Sequence, residues 1–213
     1  MTKPNEEPWS VVELRQYTLR SGTRDTLIEL FDREFVETQE DCGMRVLGQF
    51  RDEDDPDRFV WLRAFAGMDA RAAALKRFYV DGEAWRTHAP AARETMVDTD
   101  NALLLRPFSP FEPPTSRPDG SAAEPPASRL SATIHYLHEP AERGFAGRFE
   151  RYLRPLLAKT GGAPIAWFGT ETAANTFPDL PVRTGEQVFV WFAAFGSAAQ
   201  RAEHRERLER DPG

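Results

Sequence analysis

The sequence predicts an α+β protein of two ferredoxin-like repeats packed sheet to sheet, and three observations carry that expectation. First, the stretch Pro107–Ser128, PFSPFEPPTSRPDGSAAEPPAS, has no hydrophobic period and is rich in proline, so it reads as a linker between two halves. Second, FVWLRAF at Phe59–Phe65 returns as FVWFAAF at Phe189–Phe195. The same offset of 130 pairs Arg71 with Arg201, Arg77 with Arg207 and Asp81 with Asp211, with nine of 23 positions identical across the window. Third, both halves show the order strand, helix, strand, strand, helix, which builds an antiparallel sheet with helices on one face only. The other face needs a cover, and a second such sheet supplies one. The expected domains are residues 9–106, the linker 107–128 and a shorter second repeat at 129–213.

In the first half, Val11–Leu19 alternates and is rich in strand formers, and Ser21–Gly22 ends it. Across Asp25–Gln39, the residues Leu27, Ile28, Leu30, Phe31, Phe35 and Val36 form one helical stripe, closed by Cys42–Gly43. Met44–Arg51 and Arg58–Phe65 form a hairpin around the acidic run Asp52–Asp57. That run resembles a calcium loop but lacks the central glycine and the bidentate glutamate, so it reads as a solvated turn. Asp69–Tyr79 and Glu83–Val97 are the next helices, with Pro90 a kink or a break in the latter, and Ala102–Arg106 is a last strand. The second half predicts strand Ala132–Leu137, helix Ala141–Thr160, strands Pro164–Thr170 and Gln187–Phe195, and helix Ser197–Arg210. The sequence then ends at the equivalent of Asp81–Glu83, so the second sheet is expected to have three strands. The edge this leaves makes a homodimer through the incomplete sheet an expected partner.

Composition narrows the function classes. A net charge of −7 offers no basic stripe for nucleic acid. A single cysteine, Cys42, excludes an intramolecular disulfide and a cysteine-built metal site, which with the polar start predicts a cytoplasmic protein. No segment approaches the ~18 apolar residues of a membrane helix. There is no glycine-rich phosphate loop and no nucleophile-elbow signature. No metal and no cofactor are expected.

The motifs of the first half resemble one family. ELRQYTL at Glu13–Leu19, Gly22–Thr23, ELFDREF at Glu29–Phe35, FVWLRAF, DGEAW at Asp81–Trp85 and NALLLRP at Asn101–Pro107 together look like a NIPSNAP domain. The second half is similar but has ATIHYL at Ala132–Leu137 in place of ELRQYTL, and it ends before the tryptophan and the final strand. The resemblance implies a dimeric α/β barrel, here intramolecular. It implies function only loosely, because that superfamily spans monooxygenases, haem-degrading enzymes, isomerases, cyclases and non-catalytic modules.

Strand alternation proposes the site. Val12, Leu14, Val60, Leu62 and Ala64 suit the helix-covered face, which turns Glu13, Arg15, Tyr17, Phe59, Trp61, Arg63 and Phe65 toward the opposing sheet. Phe189, Trp191, Ala193 and Phe195 occupy corresponding places. Glu13, Arg15, Trp61, Arg63 and Trp191 are therefore candidate substrate-binding residues, with Glu13 pairing one arginine and the other left for a ligand. Tyr17 and His135 are the candidates for moving a proton. Alignment of Tyr136 with Tyr17 and the polar set Ser131, Thr133, His135 disagree about the face His135 takes, so its orientation stays open. His138 and His204 read as solvated. The expected function is binding of an aromatic or polyketide-like small molecule, with or without cofactor-independent isomerase, cyclase or monooxygenase chemistry. A non-catalytic ligand-binding or interaction module, or a barrel simply filled with side chains, are the alternatives.

Overall fold

The computed structural model describes residues 9–108, 111 and 126–211. Most of the expected linker lies outside the described residues. The chain forms two compact units. The first includes residues 9–106 and 171–184, and the second includes 107–108, 126–170 and 185–211. The stretch 171–184, which sequence order assigns to the second repeat, is thus part of the first unit.

In the first unit, β1 (Val11–Leu19) is followed by α1 (Arg24–Leu30), a π-helical turn at Phe31–Phe35 and α2 (Val36–Asp41). Strands β2 (Arg45–Arg51) and β3 (Arg58–Phe65) come next, then α3 (Met68–Leu75), a second π-helical turn at Lys76–Asp81, and α4 (Glu83–Thr95). Two short strands follow, β4 (Met96–Asp98) and β5 (Ala102–Pro107). β3 lies between β2 and β1, and β4 and β5 pair successive stretches of the far edge of β1, all antiparallel. This is a ferredoxin-like arrangement. Gly43, at φ +94°, supplies the left-handed residue that stops the helix after Cys42. Arg24 holds the acidic hairpin turn by donating to the carbonyls of Asp52, Asp55 and Arg58 at 2.9–3.3 Å. Pro90 neither breaks nor ends α4, and the helix stops at Thr95 rather than Val97. Met96–Asp98 is drawn off into β4 by pairing with the end of β1.

The second unit contains β6 (Arg129–Leu137), a short 3-10 turn at Ala141–Arg143, α5 (Phe145–Arg148), a π-helical turn at Phe149–Leu153 and α6 (Arg154–Thr160). It continues with β7 (Pro164–Thr170), β8 (Gln187–Phe195) and α7 (Ala198–Arg210). β8 is central, antiparallel to both β6 and β7. His204 is not solvated, in contrast to the expectation. It is 7% exposed, with its ring 5.4 Å from that of Phe195, and fills the place where a side chain at residue 162 would stand. The charged run around it conceals one inward position of α7. No helix among the described residues is long and apolar enough to cross a membrane.

The assignment of strand faces from sequence is reversed. Val11, Tyr17, Leu19, Phe59, Trp61 and Phe65 pack with Leu27, Phe31, Phe35 and Phe78 of the helical layer. Glu13 and Arg63 bond to Arg71 of α3 and Gln39 of α2 respectively. Glu13, Arg15, Tyr17, Trp61 and Arg63 therefore face the helices, and Val12, Leu14, Val60, Leu62 and Ala64 take the other face. Trp191 likewise packs with Phe149 and Leu157 of its own unit's helical layer. The smaller, uniformly apolar set looked like the natural floor for helices. The larger set is favoured there because its aromatic rings fill the deeper layer and its charges are satisfied within it.

The junction between the second π-helical turn and α4 depends on Gly82, where an added Cβ would run into the carbonyl oxygen of Phe78. Gly82→Ala is expected to lower stability by about 1–3 kcal/mol. The control is Gly147→Ala in α5, where a Cβ meets nothing within 4 Å. It is expected to be neutral or stabilising by up to about 1 kcal/mol. Urea midpoints measure both, and equal midpoints would refute the steric argument.

Candidate functional site

The site is built outward from Glu13. Register places Glu13 opposite Arg63, Arg15 opposite Trp61 and Tyr17 opposite Phe59. Glu13 Oε2 accepts from Arg63 Nε at 2.8 Å and Arg15 Nη1 at 3.3 Å, while Oε1 accepts from Arg71 Nε at 2.6 Å. All four side chains are fully buried. One carboxylate thus faces three guanidiniums, which leaves the cluster with an excess of positive charge.

Neutral acceptors take up many of the remaining guanidinium donors. Arg15 donates to the Tyr17 hydroxyl at 3.0 Å and the Thr99 carbonyl at 3.1 Å. Arg63 Nη1 donates to Gln39 Oε1 at 2.9 Å and the Tyr79 hydroxyl at 3.2 Å. Arg71 Nη1 donates to Asn175 Oδ1 at 2.9 Å and Thr176 Oγ1 at 3.3 Å. The Arg63 guanidinium also stacks 4.9 Å from the Trp61 ring. Arg63 Nη2 lies 2.7 Å from Glu13 Oε2 but at an angle that makes it an ion pair without a hydrogen bond. Arg71 Nη2 and Trp61 Nε1 are buried donors without a partner among the described residues. Burial alone would raise the pKa of Glu13, but the attraction of Arg63, Arg15 and Arg71 outweighs it and holds the carboxyl at about 2. Burial also raises Tyr79, against the pull of Arg63.

Beside this cluster lies a cavity of about 520 Å³ walled by Phe31, Phe35, Trp61, Phe78, Trp85 and Phe177. Tyr17, Gln39 and Tyr79 are polar residues that line it beside these rings. Both π-helical turns of the unit contribute: Phe31 and Phe35 come from the first, Phe78 and Tyr79 from the second. Such turns widen a helix locally and often occur where a pocket is shaped. Residues 171–184 complete the wall with Phe177, Asp179, Leu180 and Pro181. Val80 and Val97, apolar yet 58% and 64% exposed, mark the rim with exposed Arg93, Asp100 and Asp179.

Of the residues proposed from sequence, Tyr17 and Trp61 line the cavity, and Glu13, Arg15 and Arg63 lie directly behind its wall. His135 and Trp191 do not join them. They are in the second unit, where the Trp191 indole donates to His135 Nε2 at 3.1 Å. His135 packs against Phe145, and its burial lowers its pKa. His135 stands opposite Phe189 as Tyr17 stands opposite Phe59. By the 130-residue offset it is therefore His135, not Tyr136, that corresponds to Tyr17. Sequence reasoning missed Gln39, Arg71, Tyr79 and the 171–184 segment. Arg71 was visible as a matched arginine, but nothing in the sequence brings it to Glu13.

The likeness to solved ferredoxin-like folds covers most of the chain. A protein from Fusobacterium nucleatum provisionally named a monooxygenase is 10% identical, with 95% of this chain and 83% of that one covered at a TM-score of 0.56. Residues 12–110 match the NIPSNAP family model. An uncharacterised NIPSNAP domain protein from Burkholderia xenovorans is 20% identical over 47% of this chain and 99% of its own, at a TM-score of 0.43. Protein Atu4242 from Agrobacterium tumefaciens is 26% identical over 48% and 99%, at 0.44. No curated protein sequence matches the chain significantly.

The arginine cluster makes stability depend on acid in a defined window. The Glu13 pKa is about 2 in the folded state against an ordinary 4.5. Its contribution is therefore present above pH 4.5 and lost as pH falls toward 2, amounting to about 3 kcal/mol. Glu13→Gln is expected to cost about 3–5 kcal/mol at neutral pH and to flatten this acid dependence. Urea melts of both proteins from pH 6 down to 2.5 measure it, and parallel pH profiles would refute the assignment.

Proposed function

We propose that the first unit is a small-molecule site whose ligand is an aromatic or polyketide-like compound. The supporting observation is the cavity of about 520 Å³, with aromatic walls and a few converging polar groups. Pockets of this size and make-up hold small ligands. In the catalytic form of this reading the chain works without metal or organic cofactor, as an isomerase, cyclase or monooxygenase. Arg15 donates to the Tyr17 oxygen, so the phenolic proton is offered to an oxygen of the substrate, where negative charge develops. We also read the two units as copies of one repeat, of which the second has replaced the charged cluster. By the strand offset Ser131, Thr133 and Ala193 stand where the first unit has Glu13, Arg15 and Arg63.

One observation favours the reading as a non-catalytic binding module. Arg63 Nη1 donates to the Tyr79 oxygen at 3.2 Å, which leaves this phenol placed as a hydrogen-bond donor and not as a base. Turnover of a bound compound separates the two.

The test of the site is a panel of bicyclic aromatic compounds, followed by thermal shift and tryptophan fluorescence. Members of the panel are expected to bind and to quench Trp61 or Trp85. Val97→Trp places a ring at the exposed rim and is expected to weaken binding at least about tenfold while changing stability by less than about 0.5 kcal/mol. Equal affinities in the variant and the parent would overturn the assignment of this cavity.

A further inference from the structure

The deep wall of the cavity has an unusual polar balance. Its polar side chains are the buried Tyr17, Gln39 and Trp61 and the half-buried Tyr79. Each of the two phenol oxygens already accepts from a guanidinium, Tyr17 from Arg15 and Tyr79 from Arg63. A cation on that lone pair leaves the hydroxyl hydrogen as the group to present elsewhere. Gln39 is in the same position, because its Oε1 accepts from Arg63 and its amide hydrogens are left over. The Trp61 indole can only donate, and its buried N–H has no partner. The arginines thus occupy acceptors along the wall and convert it into a set of donors. Carboxylates on the lining, Asp100 and Asp179, are exposed at the rim.

The second unit provides an internal comparison. Its equivalent tryptophan, Trp191, has its N–H satisfied by His135 at 3.1 Å. In the first unit the corresponding position is Tyr17, whose ring meets that of Trp61 edge-on at 6.0 Å without accepting the indole hydrogen. An unsatisfied buried donor costs free energy, and the cluster of Glu13 with three arginines beside it carries an excess of positive charge. Both are relieved by one kind of group.

We propose that the ligand of this pocket carries an anionic oxygen, a carboxylate being the simplest case, and that Tyr17, Tyr79, Trp61 and Gln39 bind it as donors. This inference rests on the small-molecule reading above and deepens it. The arginines act through the tyrosines and Gln39 and are positioning residues. Each phenol polarised by a guanidinium is a stronger donor to an anion than an isolated phenol.

Three probes of one shape test it: 2-naphthoate, its neutral amide 2-naphthamide, and the cation 2-naphthylmethylammonium. Binding is followed by quenching of tryptophan fluorescence in the intact chain. The expected result is that the carboxylate binds at least about tenfold more tightly than the amide, with the ammonium weakest. Trp61→Phe removes a donor while keeping an aromatic ring beside Arg63, and Tyr79→Phe removes a hydroxyl while keeping its ring. Each is expected to reduce the carboxylate-to-amide ratio at least about threefold. An unchanged urea midpoint shows that each variant is folded. Amide or ammonium binding as tight as carboxylate overturns the anion inference and leaves the small-molecule site standing. Failure of all three probes to bind overturns the small-molecule reading, and this inference with it.

Discussion

A carboxylate buried with three guanidiniums constrains the first unit more than any single apolar contact. Bringing four charges out of water is costly, and that cost is offset only if geometry and secondary hydrogen bonds are good. Those requirements fix the neighbourhood. Arg63 joins β3 to β1 through Glu13 and to α2 through Gln39. Arg71 ties α3 to the same carboxylate and to Asn175 and Thr176. Arg15 holds the Tyr17 hydroxyl and the backbone at Thr99. The polar atoms lining the cavity are thus oriented from behind by groups that all converge on Glu13. Loss of that carboxylate would leave three buried cations in mutual repulsion and release the donors that face the pocket.

The second unit makes the dependence visible by contrast. It has the same strand pairing about β8, yet Ser131, Thr133 and Ala193 stand where charges stand in the first. No ion pair is needed there, and the space is taken by rings. The Phe189 ring lies 4.7 Å from that of Phe149 and 5.1 Å from that of Phe145, and the Trp191 N–H donates to His135. One frame therefore supports two interiors. Aromatic filling stabilises a core without leaving directed polar groups, whereas the charged interior keeps donors turned toward a cavity.

The elements were legible because they rest on local signals. Alternation in Val11–Leu19, the stripe from Leu27 to Val36 and the glycine stop at Gly43 all act within a few residues. The pairing of Glu13 with its arginines was also legible, since residues of one strand face share a side. Which side they share was not. Period 2 separates two sets of residues but does not say which set meets the helices. That choice depends on Gln39 and Arg71, which come from α2 and α3, and on whether a buried charge finds partners there. Face-on, the set containing Glu13 and Arg63 looked too polar for a helix-packed core. It became suitable only because Arg71, eight residues after Arg63, supplies a third cation and Gln39 an acceptor.

The contribution of 171–184 was hidden for a different reason. In the first unit the hairpin between β2 and β3 turns through a short acidic run stapled by Arg24. The connection between β7 and β8 is far longer and has no regular structure. Loop-closure entropy rises slowly with length, so a hairpin tolerates such an insertion, and long ordered loops are usually functional. This one is ordered by its own bonds, Asn175 Nδ2 to the Leu180 carbonyl at 3.1 Å and the Phe177 amide to Asn175 Oδ1 at 3.1 Å. Arg183 and Glu171 fix its ends through backbone donors to Ala102 and Leu104 at 2.8 and 2.9 Å. Phe177 then lies 6.1 Å from the Tyr79 ring, on the cavity wall. The stretch 12–110 carries Glu13 and the arginines but lacks Phe177, Leu180 and the neutral acceptors of Arg71, Asn175 and Thr176. The pocket as it stands therefore requires residues 171–184, which are remote in sequence from the strands and helices they close over.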